Sequence, residues 1–478
     1  MPENLEKRLK RQIHGKLHRF TAIVPLGFEA TLVKELQQIG IAAENDSFET
    51  TDGKVIFTAK ITEAWKAVAH SRIANRVLMD IASFKAENFR ELEKKAAEIP
   101  WEFYFDERTI ASSLQTNDER NNPSISELVT SNSLHIHVTC KHSRLYHSDA
   151  VAERFYDVFK GGSLPLATTQ TARLNSINES TRPPRSRQHD SLRRVAFGSL
   201  TTPQQSSVSA TPSAGTPRNT PPQNIYVSLL NDRCTVSLDL AGEELYKRGH
   251  QRFVNDAPLK ETIAAAMLFE AFEQMQSSIT LIDPMAGGGT FSLEAAYMTS
   301  GLIPGKCRDF ALKHQPAFKE TTWNYLTRVI LSGDAARDPG PNPAICIHTS
   351  DISDKAVEII KHNVEVSPLP DGCIKPEKRD FFSYTPEEIA KLRSESQAVI
   401  VLNPPYGKRL DANAPKLYAN IGRKLSEFKG YVIAILAPKG ACTENLLKNC
   451  AALSLPSTKV IKTSHGGISL NCFIGKIC

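Results

Sequence analysis

Hydrophobic positions recur in two styles along the chain. In the first 85 residues, short apolar runs are interleaved with helical repeats. FTAIVPLGFEATLVKELQQIG (20–40) predicts a strand, a turn at Pro25 to Gly27 and an amphipathic helix, with Leu32, Leu36 and Ile39 at helical spacing. Gly40 stands where a helix C-terminal glycine belongs. KVIFTA (54–59) predicts a second strand, and the stretch 62–84 begins as a helix. FRELEKKAAEI predicts a further helix and SLHIHVTCK a strand. NIYVSLLNDRCTVSLDLAG (224–242) reads as two strands around an Asn-Asp turn, a hairpin expected to share a sheet with the strand before it. From residue 255 the style changes. Helical repeats such as KETIAAAMLFEAFEQM and KAVEIIKHNVE alternate with wholly apolar runs such as AVIVL and YVIAILA. That alternation predicts a doubly wound parallel sheet, so the chain is α/β in class. In such sheets ligands bind beyond the carboxyl ends of the strands.

Two stretches follow neither style. Residues 161–223 are rich in Ser, Thr, Pro and Gln and bury too little apolar surface to offset chain entropy, so they are expected to be a disordered insert. Their seven Arg against two acidic residues suit contact with nucleic acid, but an inert loop insertion is the preferred reading. Residues 1–19 carry six Lys or Arg against two Glu and read as a basic tail, either frayed in solvent or touching RNA.

Composition narrows the classes. The 478 residues, 41% hydrophobic and 23% charged, suit a globular protein of more than one domain. The longest apolar runs are too short to cross a bilayer, so no membrane partner is expected. The N-terminus has no apolar core and is not a secretory signal, and a cytoplasmic protein is expected. Nine scattered cysteines without a C-x-x-C pair read as free thiols. His135 and His137 alternate along one strand and read as ordinary strand residues, so no metal is expected. A net charge of +6 permits a polyanionic partner without demanding one.

Four strand ends carry candidate chemistry. In TLIDPMAGGGTF (280–291) a strand ends at Asp283, three glycines follow, and a helix starts near Thr290. Glycines let backbone approach a ligand, and no Lys follows them, which disfavours a phosphate-gripping P-loop. In AICIHTSDISDK (344–355), Asp351 ends the second strand, either to accept both hydroxyls of a ribose or to stay solvated beside a capped helix. In KRDFFSY (378–384), Asp380 is placed to accept from an adenine amino group, with Phe381 against the ring. The fourth, VIVLNPPYG (399–407), is the most specific. The lone pair of a nucleobase amine is delocalised into its ring. Two acceptors aimed at its N–H bonds, Asn403 Oδ1 and the Pro404 carbonyl, would free that lone pair for attack. Pro404 and Pro405 fix the loop, and Tyr406 offers a face on which an extruded base stacks.

DPMAGGGTF followed by NPPYG resembles the S-adenosylmethionine-dependent amino-group methyltransferases. LDLAGEELYKRGHQRFVNDAPLKETIAAAML (238–268) is similar to the junction in the THUMP-containing N2-guanine RNA methyltransferases, which include bacterial large-subunit ribosomal RNA and transfer RNA enzymes. PLGFEATLVKELQQIG resembles that family's ferredoxin-like piece, and 71–107 and HSRLYHSDAVAERF resemble its THUMP region. The likeness spans nearly the whole chain outside the tail and the insert. It implies a basic tail (1–19), a ferredoxin-like domain (20–85), a THUMP domain with the insert (86–245) and a Rossmann-like class I methyltransferase domain (246–478). It implies that Asp283, Gly287, Gly289 and Thr290 surround the methionine part of S-adenosyl-L-methionine, that Asp351 holds the ribose and Asp380 and Phe381 the adenine, and that Asn403, Pro404, Pro405 and Tyr406 orient the guanine amine. Two segments depart from the family pattern. Ala-Gly-Gly-Gly stands at 286–289 where Cys-Gly-Ser-Gly is common, and Arg248-Gly249-His250-Gln251 stands where Arg-Gly-Tyr-Arg is common.

The expected function is methylation of guanine N2 in structured RNA, with 23S rRNA as first expectation and tRNA as the alternative. A DNA adenine-N6 methyltransferase shares the loop chemistry, but no DNA target-recognition segment follows it. A non-catalytic RNA-binding assembly factor is disfavoured by the intact 403–406 loop. No second catalytic domain is expected, since the chain ends soon after LNCFIGKIC.

Overall fold

The computed structural model describes residues 4–106, 134–160, 220–250, 252–253, 258–275, 279–328, 345–393, 397–406 and 413–478. Two seven-stranded sheets organise them.

The first sheet contains β1 (His18–Ile23), β2 (Phe48–Thr51), β3 (Lys54–Ala59), β4 (Arg76–Lys85), β5 (Leu134–Lys141), β6 (Gln223–Leu230) and β7 (Arg233–Asp239). Its order is β2-β3-β1-β4-β7-β6-β5, antiparallel throughout except for the parallel β5–β6 pair. The KVIFTA strand forms over the expected residues. The expected hairpin closes through Asn231 and Asp232, both left-handed, as a two-residue turn that matches strand twist requires. The β4–β7 pairing joins the regions 20–85 and 86–245 into one continuous sheet.

Two expectations are corrected here. The basic start is not a frayed tail from Asn4 onward. A helix, Leu5–Leu9, widens into a turn at Lys10–His14 and buries Leu9 and Ile13. Those two lie four residues apart, on one helical face beneath the charges. Arg8 pairs with Glu102 at 2.7 Å. At the other end of the insert, ordered structure begins at residue 220, and Gln223 is already a buried strand residue donating to the Ala311 carbonyl. The expected insert residues 161–219 lie outside the described residues.

The second sheet contains β8 (Ile279–Asp283), β9 (Ile345–Asp351), β10 (Lys375–Lys378), β11 (Gln397–Leu402), β12 (Val432–Pro438), β13 (Lys459–His465) and β14 (Ile468–Lys476). The order is β10-β9-β8-β11-β12-β14-β13. The first five strands are parallel, and β14 runs antiparallel between β12 and β13. Strands β8 and β12 are buried at every residue and β11 at all but its first, as a parallel sheet covered on both faces demands. The doubly wound expectation holds. The order reverses direction about β8 and β11, so their carboxyl ends flank the crevice where such sheets bind ligands. No helix among the described residues is long and apolar enough to cross a membrane.

Candidate functional site

The turn after β8 is held from three sides. Gly287 and Gly289 are left-handed, at φ 57° and 77°. A Cβ on Gly289 would press on Ile360 at 3.1 Å, whereas one on Gly287 would meet nothing within 4 Å. The turn is therefore packed at its inner glycine and open at its outer one. Asp351 Oδ2 accepts from the Gly287 N–H at 2.9 Å, and Oδ1 accepts from the Ser353 N–H at 2.9 Å. Asp351 thus both shapes the glycine turn and caps the start of its own loop. Each oxygen keeps lone-pair capacity for a further donor, such as a ribose hydroxyl.

Asp283 is wholly buried at the end of β8. Its Oδ2 accepts from the Ser292 hydroxyl at 2.8 Å, and its Oδ1 has no partner. Burial is the main reason its carboxyl is pushed up to about 7. The Ser292 bonds oppose that rise and the Asp351 charge adds to it. Thr290, first residue of the Thr290–Thr299 helix, has a hydroxyl that accepts from Arg252 Nη2 at 3.2 Å.

The β10 end differs in part from expectation. Asp380 Oδ1 accepts from the Phe382 N–H at 3.0 Å and so caps the single turn Phe381–Ser383. Successive side chains in such a tight turn diverge widely. Phe381 consequently points into the core, 2% exposed, with ring centroids 5.3 Å from Phe382 and 6.5 Å from Phe428. The expectation of a Phe381 ring face offered to adenine is corrected: the exposed ring at this corner belongs to Phe382.

Strand β11 pairs with β8 through Ile400 and Ile282, so Asn403 and Asp283 cap adjacent strand ends. Asn403 Oδ1 is buried and accepts no hydrogen bond. Pro404 is buried, Pro405 exposed and Tyr406 half-buried. The Tyr406 hydroxyl lies 3.1 Å from His465 Nδ1, at the end of β13. Burial, then the Lys260 charge, lowers the His465 pKa and favours the neutral ring, while a Pro258 backbone bond opposes this. Gly407 lies outside the described residues.

Three residues of this site carried no role in the sequence reading. Asn363 is fully buried. It donates to the Gly288 and Phe253 carbonyls, both at 3.0 Å, and accepts from the Phe253 N–H at 2.8 Å, tying the glycine turn to the short segment at Phe253. His465 and Arg252 meet Tyr406 and Thr290 only through the fold. The Arg248 junction segment is structural. Arg248 grips Glu294 through Nε and Nη2 at 3.1 Å each, and its Nη2 reaches the Arg72 carbonyl at 2.8 Å. His137, one of the two strand histidines, stacks on Tyr226 with centroids 4.7 Å apart.

A doubly wound sheet with a glycine turn after its first strand, an acidic residue ending its second and Asn-Pro-Pro-Tyr ending its fourth defines a Rossmann-like methyltransferase domain. Residues 248–468 match the family described as RMKL-like, methyltransferase domain, and residues 19–78 match the RlmL ferredoxin-like domain. The chain carries an RMKL-like methyltransferase domain behind an RlmL-type ferredoxin-like domain. It is 26% identical over 426 residues to the ribosomal RNA large subunit methyltransferase K/L of Allochromatium vinosum, covering 87% of this chain and 47% of that one. It is 24% identical over 424 residues to YpsC of Bacillus subtilis, provisionally named as an RNA methyltransferase, covering 88% of each. The chain thus spans about half the length of the K/L relatives. Among solved structures, a provisionally named methyltransferase complexed with SAH aligns at a TM-score of 0.65 and 21% identity, covering 96% of this chain and 98% of that one. TrmN from Thermus thermophilus aligns at 0.55 and 14%, covering 97% and 100%. At these identities the structures speak for the fold.

Proposed function

We propose that the protein transfers a methyl group from S-adenosyl-L-methionine to N2 of a guanine in structured RNA, with large-subunit ribosomal RNA as substrate, in the cytoplasm. The observation that carries the reading is the buried, unpartnered Asn403 Oδ1 beside the glycine turn. A buried acceptor without a donor costs about 1–3 kcal/mol, and a substrate N–H would satisfy it. The relatives' names support an RNA substrate. The region 86–245 is read as the THUMP part, recognising RNA by shape and backbone.

The residues fit the cofactor. Gly287 leaves its side of the turn open, Asp351 has acceptor capacity for a ribose diol, and Asp283 is a buried carboxylate suited to a cationic ligand. Asp380 and the Phe381–Phe382 turn would border the adenine. Bound there, the cofactor supplies a methyl group on a positively charged sulfur. Asn403 Oδ1 and the Pro404 carbonyl would accept the two amine N–H bonds and draw the nitrogen toward tetrahedral geometry. Tyr406, braced by His465, would stack the extruded base. Positioning carries the rate, and the amine sheds its proton after attack, when it has become acidic.

The test is incubation with labelled S-adenosylmethionine and total RNA from cells lacking the protein, followed by nucleoside identification. N2-methylguanosine in large-subunit rRNA is expected. The same nucleoside in tRNA would move the target, N6-methyladenosine would overturn the pocket assignment, and no label in any RNA would overturn the RNA reading.

A further inference from the structure

The helical segment Leu5–His14 precedes both family-matched regions, which are residues 19–78 and 248–468. Its inward face is fixed. Leu9 and Ile13 are buried, and Arg8 pairs with Glu102 and lies over the Phe103 ring, 4.7 Å from its centroid. His14 meets Trp65 edge-on with centroids 6.0 Å apart, and Trp65 in turn meets Phe318 of the methyltransferase domain at 5.5 Å. The outward face is cationic. Lys7, Lys10 and Arg11 are exposed, and their spacing of three and four residues puts them on one side of the helix. Lys16 is exposed just beyond its end, and Glu6 is the one acidic residue between Leu5 and Lys16. Lys7, Lys10 and Lys16 have no ion-pair partner among the described residues. Exposed Lys319 adjoins the same end, since burial first and the Lys319 charge next lower the His14 pKa. Like charges at helical spacing oppose helix formation, yet this segment stacks them on a docked helix. Such a conflict between local charge and fold points to a negative partner from outside.

We propose that this helix is a docking surface for the phosphodiester backbone of the RNA substrate, gripped by Lys7, Lys10 and Lys16 with Arg11 and Lys319 beside them. The inference rests on the RNA reading of the proposed function. RNA fits better than an anionic membrane. Leu9 and Ile13 are turned into the core, and the exposed Leu5 and Leu17 stand at opposite ends, so the helix offers no continuous apolar face to a bilayer. Lysines suit the task, because backbone contact needs mobile point charges and not the planar fork that reads a base edge. The helix is anchored at Trp65 and, through it, against Phe318, so RNA held here is held in fixed relation to both domains.

The test is binding of the full chain to labelled, protein-free large-subunit ribosomal RNA over a series of KCl concentrations. The variant combines Lys7→Gln, Lys10→Gln and Lys16→Gln, exposed changes that break no ion pair and keep helix propensity. Each phosphate contact contributes about 0.7–0.9 to the slope of log affinity against log salt, so the slope should become shallower by about 2–3. Affinity at low salt should fall by roughly 10–100-fold. The urea midpoint and S-adenosylmethionine affinity should not change. A second variant with Arg at the same three positions should keep both slope and affinity. An unchanged slope in the Gln variant would overturn the surface, as would a lowered urea midpoint that accounts for the lost affinity. Binding of wild type to phosphatidylglycerol vesicles that the Gln variant loses, with RNA binding intact, would overturn RNA in favour of a membrane. Failure of wild type to bind RNA at any salt would instead overturn the RNA reading itself.

Discussion

All three guanidinium nitrogens of the buried Arg248 have partners. Glu294 takes two of its N–H groups, and the Leu245 and Arg72 carbonyls take others. Glu35, also buried, accepts from the Ser71 hydroxyl at 2.5 Å, the Arg72 N–H at 2.8 Å and the Ile73 N–H at 3.4 Å. At the carboxyl ends of β8 and β11 the situation is reversed: Asp283 Oδ1 and Asn403 Oδ1 are equally buried and accept nothing. Single unpartnered atoms also occur elsewhere, among them Trp65 Nε1, Gln315 Nε2, Arg252 Nε and, beside the Arg248 network, Arg72 Nη1. The Asp283–Asn403 pair differs because β8 and β11 are hydrogen-bonded neighbours, which sets both orphans at adjacent strand ends of one crevice. A saturated buried network closes a structure, whereas an unsaturated one is half of a binding site.

Breaking the saturated region has the largest expected effect. Arg248→Met strands Glu294 without its main partner and should lower unfolding free energy by about 3–5 kcal/mol. Urea denaturation checks it, and a loss under about 1 kcal/mol would erase the contrast. Asp351→Asn acts on the open region. It should weaken cofactor binding by roughly 10–100-fold, as a charged acceptor is replaced by a neutral amide, with a smaller change in the urea midpoint.

Asp283 sharpens the comparison through pH. The folded carboxyl holds its proton up to about 7, against 3.8 for an ordinary aspartate. Between those values the folded state binds more protons than the unfolded state, so this group's contribution to stability falls as pH rises from 3.8 to about 7. Asp283→Asn should flatten that slope in urea titrations across the window. The smallest effect is expected at the edge of the site. His465→Gln should cost turnover about 3–10-fold by loosening the Tyr406 hydroxyl, a neutral hydrogen bond of about 1 kcal/mol, and leave cofactor affinity unchanged.

The elements that were legible in the sequence are those with local signals. KVIFTA alternates, the Asn-Asp turn needs left-handed residues, and the start at Thr290 follows its glycines. The strand Arg76–Lys85 was hidden inside a stretch that opens with a helix and carries Arg76 and Asp80, both claimed by distant partners, Asp239 and Ser237. The buried face of the basic start was masked because Leu9 and Ile13 are two apolar positions among six cations. Within the site, Asp351 and Asn403 were legible because they terminate apolar runs. His465 and Arg252 were not, because their partners lie 59 and 38 residues away and no local pattern encodes a tertiary hydrogen bond.

The most direct test of the account is Asn403→Ala, with unfolding free energy, cofactor affinity and single-turnover methyl transfer measured on the same preparation. The account predicts transfer slowed by about 10²–10³-fold, the scale of losing one preorganised polar group from a transition state. Cofactor affinity should be unchanged, and stability unchanged or raised by up to about 1 kcal/mol as the buried orphan is removed. Full transfer activity, or a loss of stability comparable to that of Arg248→Met, would show that the Asn403 amide belongs to the scaffold and contradict the account.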